Sequence, residues 1–467
     1  MSDPTESELA LARRISDAPP PISAATRATA VDHILDFAGV AVAGSISDPA
    51  RLMAGLLQPS AAPSVGAAPL WGARSGWLPA REAALVNAIA GHFHDFDDDE
   101  PEYSLAHPTV TVLPAAVAAS SLVATSGERL IDAYIAGVEL VMRLGLLINP
   151  AHYKHGFHAT ATLGVLGAAV SAGRVLGLDA ETMRHALGIA ASLAGGLRSN
   201  FGSDAKCIQT GSAARNGLLA AQLALSGLTS TPGSLFGPLG FIEVFDGKGG
   251  FDSLAAQFGE PWLFVDPGIT IKAYPCCTST HTAVDGLLAL LAERPIPVDA
   301  VERIDIDVDE ATPRILIHDW AQTALEGKFS MPFCLAAGLV HRCLGIAQFD
   351  DAVVQDPVIR RLMGKVTMHP DVTLPKPKGG ISLASRLRLT LIDGTVLERF
   401  TEQPSGSRAH RLTRQQLRTK FLACAAPVLG EVRAERAFET LSATAHSTDA
   451  AHGFALLCQD EAASARP

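Results

Sequence analysis

The chain has 467 residues, 48% of them apolar and 6% aromatic, with a formal net charge of -11. That length exceeds one ordinary core and implies two or three domains. The acidic balance argues against nucleic acid as a partner, because phosphate binding needs a basic face, but it leaves room for a small anion in a local cationic pocket.

The first residues include Asp3, Glu6 and Glu8, without a basic stretch leading into an apolar one, so no secretory signal is expected. Alanine-rich runs are interrupted by glycine or arginine, as at Gly164, Gly167, Gly173 and Arg174, so no membrane span is expected. The seven cysteines are scattered, only Cys276 and Cys277 adjoin, and there is no CxxC pair. A cytoplasmic protein with reduced thiols is the expectation.

From Thr26 to about Leu263, alanine, leucine and valine recur at helical spacing, with breaks at Gly or Pro. The densest polar segment falls here. Between His92 and His107, sixteen residues hold four aspartates (Asp95, Asp97, Asp98, Asp99) and three histidines (His92, His94, His107). Carboxylates packed this closely repel one another and resist burial, so a ligand, a cation or a chemical task is expected of them. Apolar runs on both sides place the cluster at a helix end rather than in a freely exposed loop.

His158 stands at the start of a predicted helix over Ala159–Leu176, where partial positive charge favours an anion. Its bland alternative is a helix-capping histidine. Asp179-Ala180-Glu181 opens the next predicted helix, and Lys206 precedes another that runs from Ala213 to Leu225. A lysine in that setting either snorkels to water or, if buried, anchors an anion.

The character changes near Pro267. Ile304, Ile306 and Val308 alternate with aspartates, and Leu387, Leu389 and Leu391 alternate with polar residues before the hairpin signal Asp393-Gly394. A helix is predicted between them, over Phe329 to Leu344. The preceding segment, Ile271-Lys272-Ala273-Tyr274-Pro275-Cys276-Cys277 through His281, lies at the predicted domain junction, a favoured place for ligand clefts. After Arg408 the pattern returns to helix, with Thr413 as its N-cap.

In this order the segments resemble the MmgE/PrpD family, whose members include 2-methylcitrate dehydratase, cis-aconitate decarboxylase and iminodisuccinate epimerase. The likeness runs from about Thr26 to about Ala425. It is carried by the HxxDFDD…HP stretch, the GxHxTxTxG helix start, the lysine-plus-GxAA helix start, the K-x-YPCC…H junction and the KFS helix. The resemblance implies a mainly α fold with an inserted α+β domain: a helical domain from residues 1–265 and 404–467, and a lid over 266–403. It also implies a homodimer without metal or organic cofactor, and a polar, cationic site between the domains.

Carried over position by position, the family's catalytic residues fall on Asp95, His107, His158, Lys206 and Lys272. Asp99, Gln209, His281 and Phe333 fall on substrate-contacting positions. The chain departs from the family pattern at Ala205, Gln209, Asp99 and Phe333. Asp99 adds a carboxylate where a threonine is usual, and Phe333 removes a phenol.

Two lysines and two histidines suit proton abstraction beside a carboxylate, with the lysines stabilising the enolate-like charge and Asp95 orienting a histidine. The expected activity is a cofactor-independent lyase of dehydratase type on a small di- or tricarboxylic acid. Epimerisation, decarboxylation and carboxylate binding without catalysis are the alternatives. An aspartate-rich magnesium motif of the isoprenoid-synthase kind is the rival from another class, and the second metal motif it needs is absent from the sequence. Alanine at His158 or Lys272 is expected to abolish turnover with the fold intact.

Overall fold

Small side chains dominate the first half of the chain, and they let its helices approach closely. The computed structural model describes residues 3–72, 76–247, 250–376 and 380–458. It divides into two units: Met1–Phe93, Asp97–Ile269 and Thr413–Pro467 form one, and His94–Phe96 with Thr270–Leu412 form the other. The chain is mostly helical with a small mixed sheet.

In the first unit the helices that matter for the site are α1 (Ala24–Gly44), α2 (Ala80–Phe93), α3 (Pro108–Ser120), α4 (Gly127–Ile148), α5 (Ala159–Leu176), α6 (Ala205–Leu225) and α7 (Arg414–Leu429). Helix α5 is central and packs on α3, α4 and α6. Gly164, Gly167 and Gly173 do not interrupt it. A Cβ on Gly167 would lie 2.5 Å from Val141 and 2.8 Å from the Gly137 carbonyl, so glycine is what allows α4 and α5 to touch. By length and composition α5 would also pass for a membrane span, but 89% of it is buried inside the protein.

Helices α1 and α2 cross equally tightly. A Cβ on Gly91 would stand 2.3 Å from the Phe37 ring, which places the end of α2, and with it His92, against α1. The C-terminal α7 returns to α1 through a buried ion pair, Lys420 Nζ to Asp36 Oδ1 at 2.5 Å. Thr413 caps α7, as the sequence predicted, and does so in a capping box with Gln416.

Asp179 likewise caps its helix through the Thr182 N–H. Three features of this unit escaped the periodicity: a helix over Pro4–Ser16, ahead of Thr26; a short hairpin, Ala67–Pro69 with Trp77–Pro79; and the start of α6 at Ala205. Lys206 therefore sits inside the first turn of α6 rather than before it.

The second unit carries the sheet, of strands β1 (Val301–Val308), β2 (Val366–Pro370), β3 (Ser385–Leu391) and β4 (Val396–Thr401) in the order β2-β1-β3-β4. The β1–β2 pair is parallel and the others are antiparallel. Ile304, Ile306, Val308, Leu387 and Leu389 enter the core with helices His281–Glu293 and Met331–His341, as the alternation predicted. The second of these helices is shorter than the predicted Phe329 to Leu344. It begins after Ser330, whose side chain accepts from the Phe333 N–H.

Candidate active site

In the first unit the acidic segment is buried, not solvated. Asp97 is 0% exposed and Asp98 1%. Each carboxylate turns to its own partner. Asp98 accepts from His33 Nδ1 at 3.0 Å, from the Thr109 N–H at 3.2 Å and from the Thr109 hydroxyl. Asp97 Oδ2 faces His92 Nδ1 at 2.8 Å and lies 3.6 Å from His107 Nδ1. Asp97 and Asp98 thus hold different histidines.

His107 and His158 occupy equivalent places, at the N-caps of α3 and α5. Neither side chain caps its own helix, so both rings are left for other work. His107 Nδ1 donates to the Asp98 carbonyl at 2.8 Å, and its backbone N–H donates to Thr160 on α5 at 3.0 Å. Because a carbonyl only accepts, Nδ1 carries the hydrogen and Nε2 is the acceptor of the neutral ring. Asp99 Oδ1 lies 4.0 Å from that Nε2.

His158 Nδ1 lies 2.7 Å from Gln209 Oε1. The His92 ring joins the two, 4.8 Å from His107 edge-on and 6.0 Å from His158 in a stack. Lys206 is buried on α6, with Nζ 5.5 Å from the centre of the Phe201 ring, which itself meets His158 edge-on at 5.0 Å. Three imidazoles and one ammonium thus gather within one helical core. His92, Asp97 and His107 bring metal-ligand atoms within 4.8 Å of one another, although Asp97 is already the hydrogen-bond acceptor of His92.

The second unit has its own buried charge pair. Lys272, 0% exposed, donates to Asp95 Oδ2 and to the Asp95 carbonyl, both at 3.0 Å. Asp95 holds a left-handed backbone, φ +53°, which aspartate tolerates better than most residues. Lys328 donates to the carbonyls of His94 at 2.8 Å and Pro275 at 3.1 Å, and so ties the 94–96 segment to the Tyr-Pro-Cys-Cys turn.

His281 is buried at the start of its helix with Nε2 3.1 Å from the Cys276 carbonyl. Phe333 is fully buried and meets Phe349 edge-on in the sheet-side core. Cys276 is fully buried beside Thr280, 3.1 Å away.

Comparison with known proteins adds to this geometry. The MmgE/PrpD N-terminal domain matches residues 9–254, and the MmgE/PrpD C-terminal domain matches residues 274–444. The chain belongs to the MmgE/PrpD family. Cis-aconitate decarboxylase of Mus musculus is 28% identical over 381 residues, 77% of this chain and 75% of its own length. The Aspergillus terreus enzyme of the same name is 30% identical over 378 residues, 75% of this chain and 76% of its own. A 2-methylcitrate dehydratase of Cupriavidus necator is 29% identical over 197 residues, 38% of this chain and 40% of its own.

Within this MmgE/PrpD chain, the structure joins His107 with Asp99, His158 with Gln209, and Lys272 with Asp95. Sequence reasoning passed over His92 and Lys328 as site residues. Both lay in motifs already in view, as the first histidine of HxxDFDD and the lysine of KFS. What was invisible is that the His92 ring fills the space between His107 and His158.

The turn that follows the aspartates makes a pH prediction. Glu100 is fully buried, and burial raises its pKa from 4.5 to about 7 against the pull of hydrogen bonds from Ser104, Glu102 and Tyr103. The folded state therefore favours the protonated acid. The stability this contributes is complete below about pH 4.5 and is lost as the pH rises through about 7. Glu100→Gln is expected to flatten the decline in thermal midpoint across that window. An unchanged slope would show that Glu100 ionises as freely folded as unfolded.

Proposed function

We propose that this protein is a lyase that removes a proton beside a carboxylate of a small di- or tricarboxylic acid of the 2-methylcitrate or cis-aconitate type, with dehydration as the outcome. The observation that carries this reading is the histidine cluster, in which two imidazoles stand at helix N-caps with their Nδ1 atoms bound to oxygen acceptors. Such rings are oriented to accept or return a proton, which is worth about 10²–10⁴-fold in rate. Lys206 and Lys272 are the cations assigned to stabilise the enolate-like charge that the abstraction creates. The chemistry then needs nothing beyond side chains of this family member. Loss of hydroxide from the intermediate completes dehydration, and reprotonation on the other face would give epimerisation.

Asp99 narrows the substrate. A carboxylate 4.0 Å from His107 Nε2 disfavours a further substrate carboxylate there and favours a hydroxyl or hydrogen-bond donor. A second reading, decarboxylation, is supported by the names of the relatives, in which loss of CO₂ would leave a carbanion for a histidine to protonate.

The test is incubation in D₂O with citrate, 2-methylcitrate, cis-aconitate, iminodisuccinate and tartrate-like acids, followed by proton NMR. Deuterium uptake with loss of water is the expected result. Loss of CO₂ moves the assignment to the second reading, and inertness toward the whole panel removes both.

A further inference from the structure

We infer that Gln209 is a positioning residue that sets the tautomer of His158 and leaves Nε2 as the proton-accepting atom of that ring. The inference deepens the proposed function, since it rests on His158 as a proton-handling group. It begins with the orientation of one amide. Gln209 Nε2 donates to the Leu197 carbonyl at 3.2 Å. A carbonyl offers no hydrogen, so the NH₂ end of the amide must face Leu197 and the oxygen must face His158. Gln209 Oε1 lies 2.7 Å from His158 Nδ1 and can only accept. The hydrogen is therefore on Nδ1, and in the neutral ring the lone pair is on Nε2.

The backbone enforces this pairing. The segment that supplies the Leu197 carbonyl also holds His158: the His158 N–H donates to the Gly196 carbonyl at 3.0 Å, and Phe157 bridges to Leu197. Gly196 has φ +142°, and a Cβ there would come 3.1 Å from Gln209 Oε1 and 3.3 Å from His158 Cβ. Glycine keeps the gap in which imidazole and amide meet. Phe201 closes the other side edge-on at 5.0 Å.

The charge of the partner matters as much as its direction. An amide oxygen orients the ring without the full negative charge that would favour imidazolium, which suits the neutral base that abstraction requires. Among the described residues, the titratable ring stacked on His158 is His92 of α2, with Asp97 behind it, and Lys206 and Arg198 lie over Phe201, at 5.5 and 5.9 Å from that ring, which meets His158 edge-on. None of them accepts from Nδ1 in place of Gln209.

Two variants test the assignment. Gln209→Leu removes the acceptor, and Gln209→Glu replaces it with a charged one of nearly the same shape. Nitrogen-15 NMR of the His158 ring, identified by the signal lost in His158→Asn, should show the Nδ1–H tautomer in the parent protein and Nε2–H or a mixture in Gln209→Leu. Gln209→Glu should keep Nδ1–H and move the acid limb of kcat/KM upward by about one pH unit. An Nε2–H ring in the parent overturns the inference, as does a pH limb that Gln209→Glu leaves in place. The NMR readout needs no turnover, so a protein inert toward every acid would defeat the proposed function and leave the tautomer assignment standing.

Discussion

His158→Asn is expected to lower kcat by about 10²–10⁴-fold while the protein stays folded. The ring sits at the N-cap of α5 but makes no capping bond there, and the first turn is held instead by the His158 carbonyl, which accepts from the Ala161 and Thr162 N–H groups. Asparagine is among the best N-cap residues, so the helix start is preserved or strengthened. What is lost is the imidazole that stacks on His92 and donates to Gln209. The cost in stability should be no more than about 1–2 kcal/mol, from leaving the Gln209 oxygen without its donor. Steady-state kinetics beside thermal unfolding separates the two effects. Turnover within a few-fold of the parent would remove His158 from the chemistry.

Lys272→Met should behave differently, costing about 3–5 kcal/mol of stability together with activity. The sequence reading expected alanine at Lys272 to spare the fold, and the buried pair argues for a cost in stability instead. Lys272 is fully buried and donates twice to Asp95, so removing the ammonium strands a buried carboxylate. The double variant Lys272→Met/Asp95→Asn should recover at least half of the loss, because a neutral amide tolerates burial far better than an unpaired charge. Urea unfolding of the two single variants and the double variant gives the coupling directly. Additive losses would mean that the pair contributes nothing as a pair. Activity should stay lost in the double variant, since its charge is not restored.

Much of this was legible from the chain alone. Ala159–Leu176, the helix opening at Asp179, the cap at Thr413, and the alternation through Ile304 and Leu387 are local signals, and local signals survive folding when nothing distant contradicts them. The misses have physical causes. Lys206 was placed before α6 because small residues such as Ala205 carry little periodicity to mark a helix start. The need for Gly167 in α5 is tertiary, a contact with Gly137 and Val141 that has no signature in the helix itself.

By itself the sequence determined the membership in the MmgE/PrpD family, the helical character and the residue types available for proton transfer. Only the tertiary structure decided which acid meets which base. Asp95 and Lys272 are 177 residues apart, His158 and Gln209 are 51, and His33 and Asp98 are 65. Side-chain pairing across such separations is set by helix packing rather than by spacing along the chain. A 2.7 Å hydrogen bond that directs one proton depends on distances no linear pattern encodes.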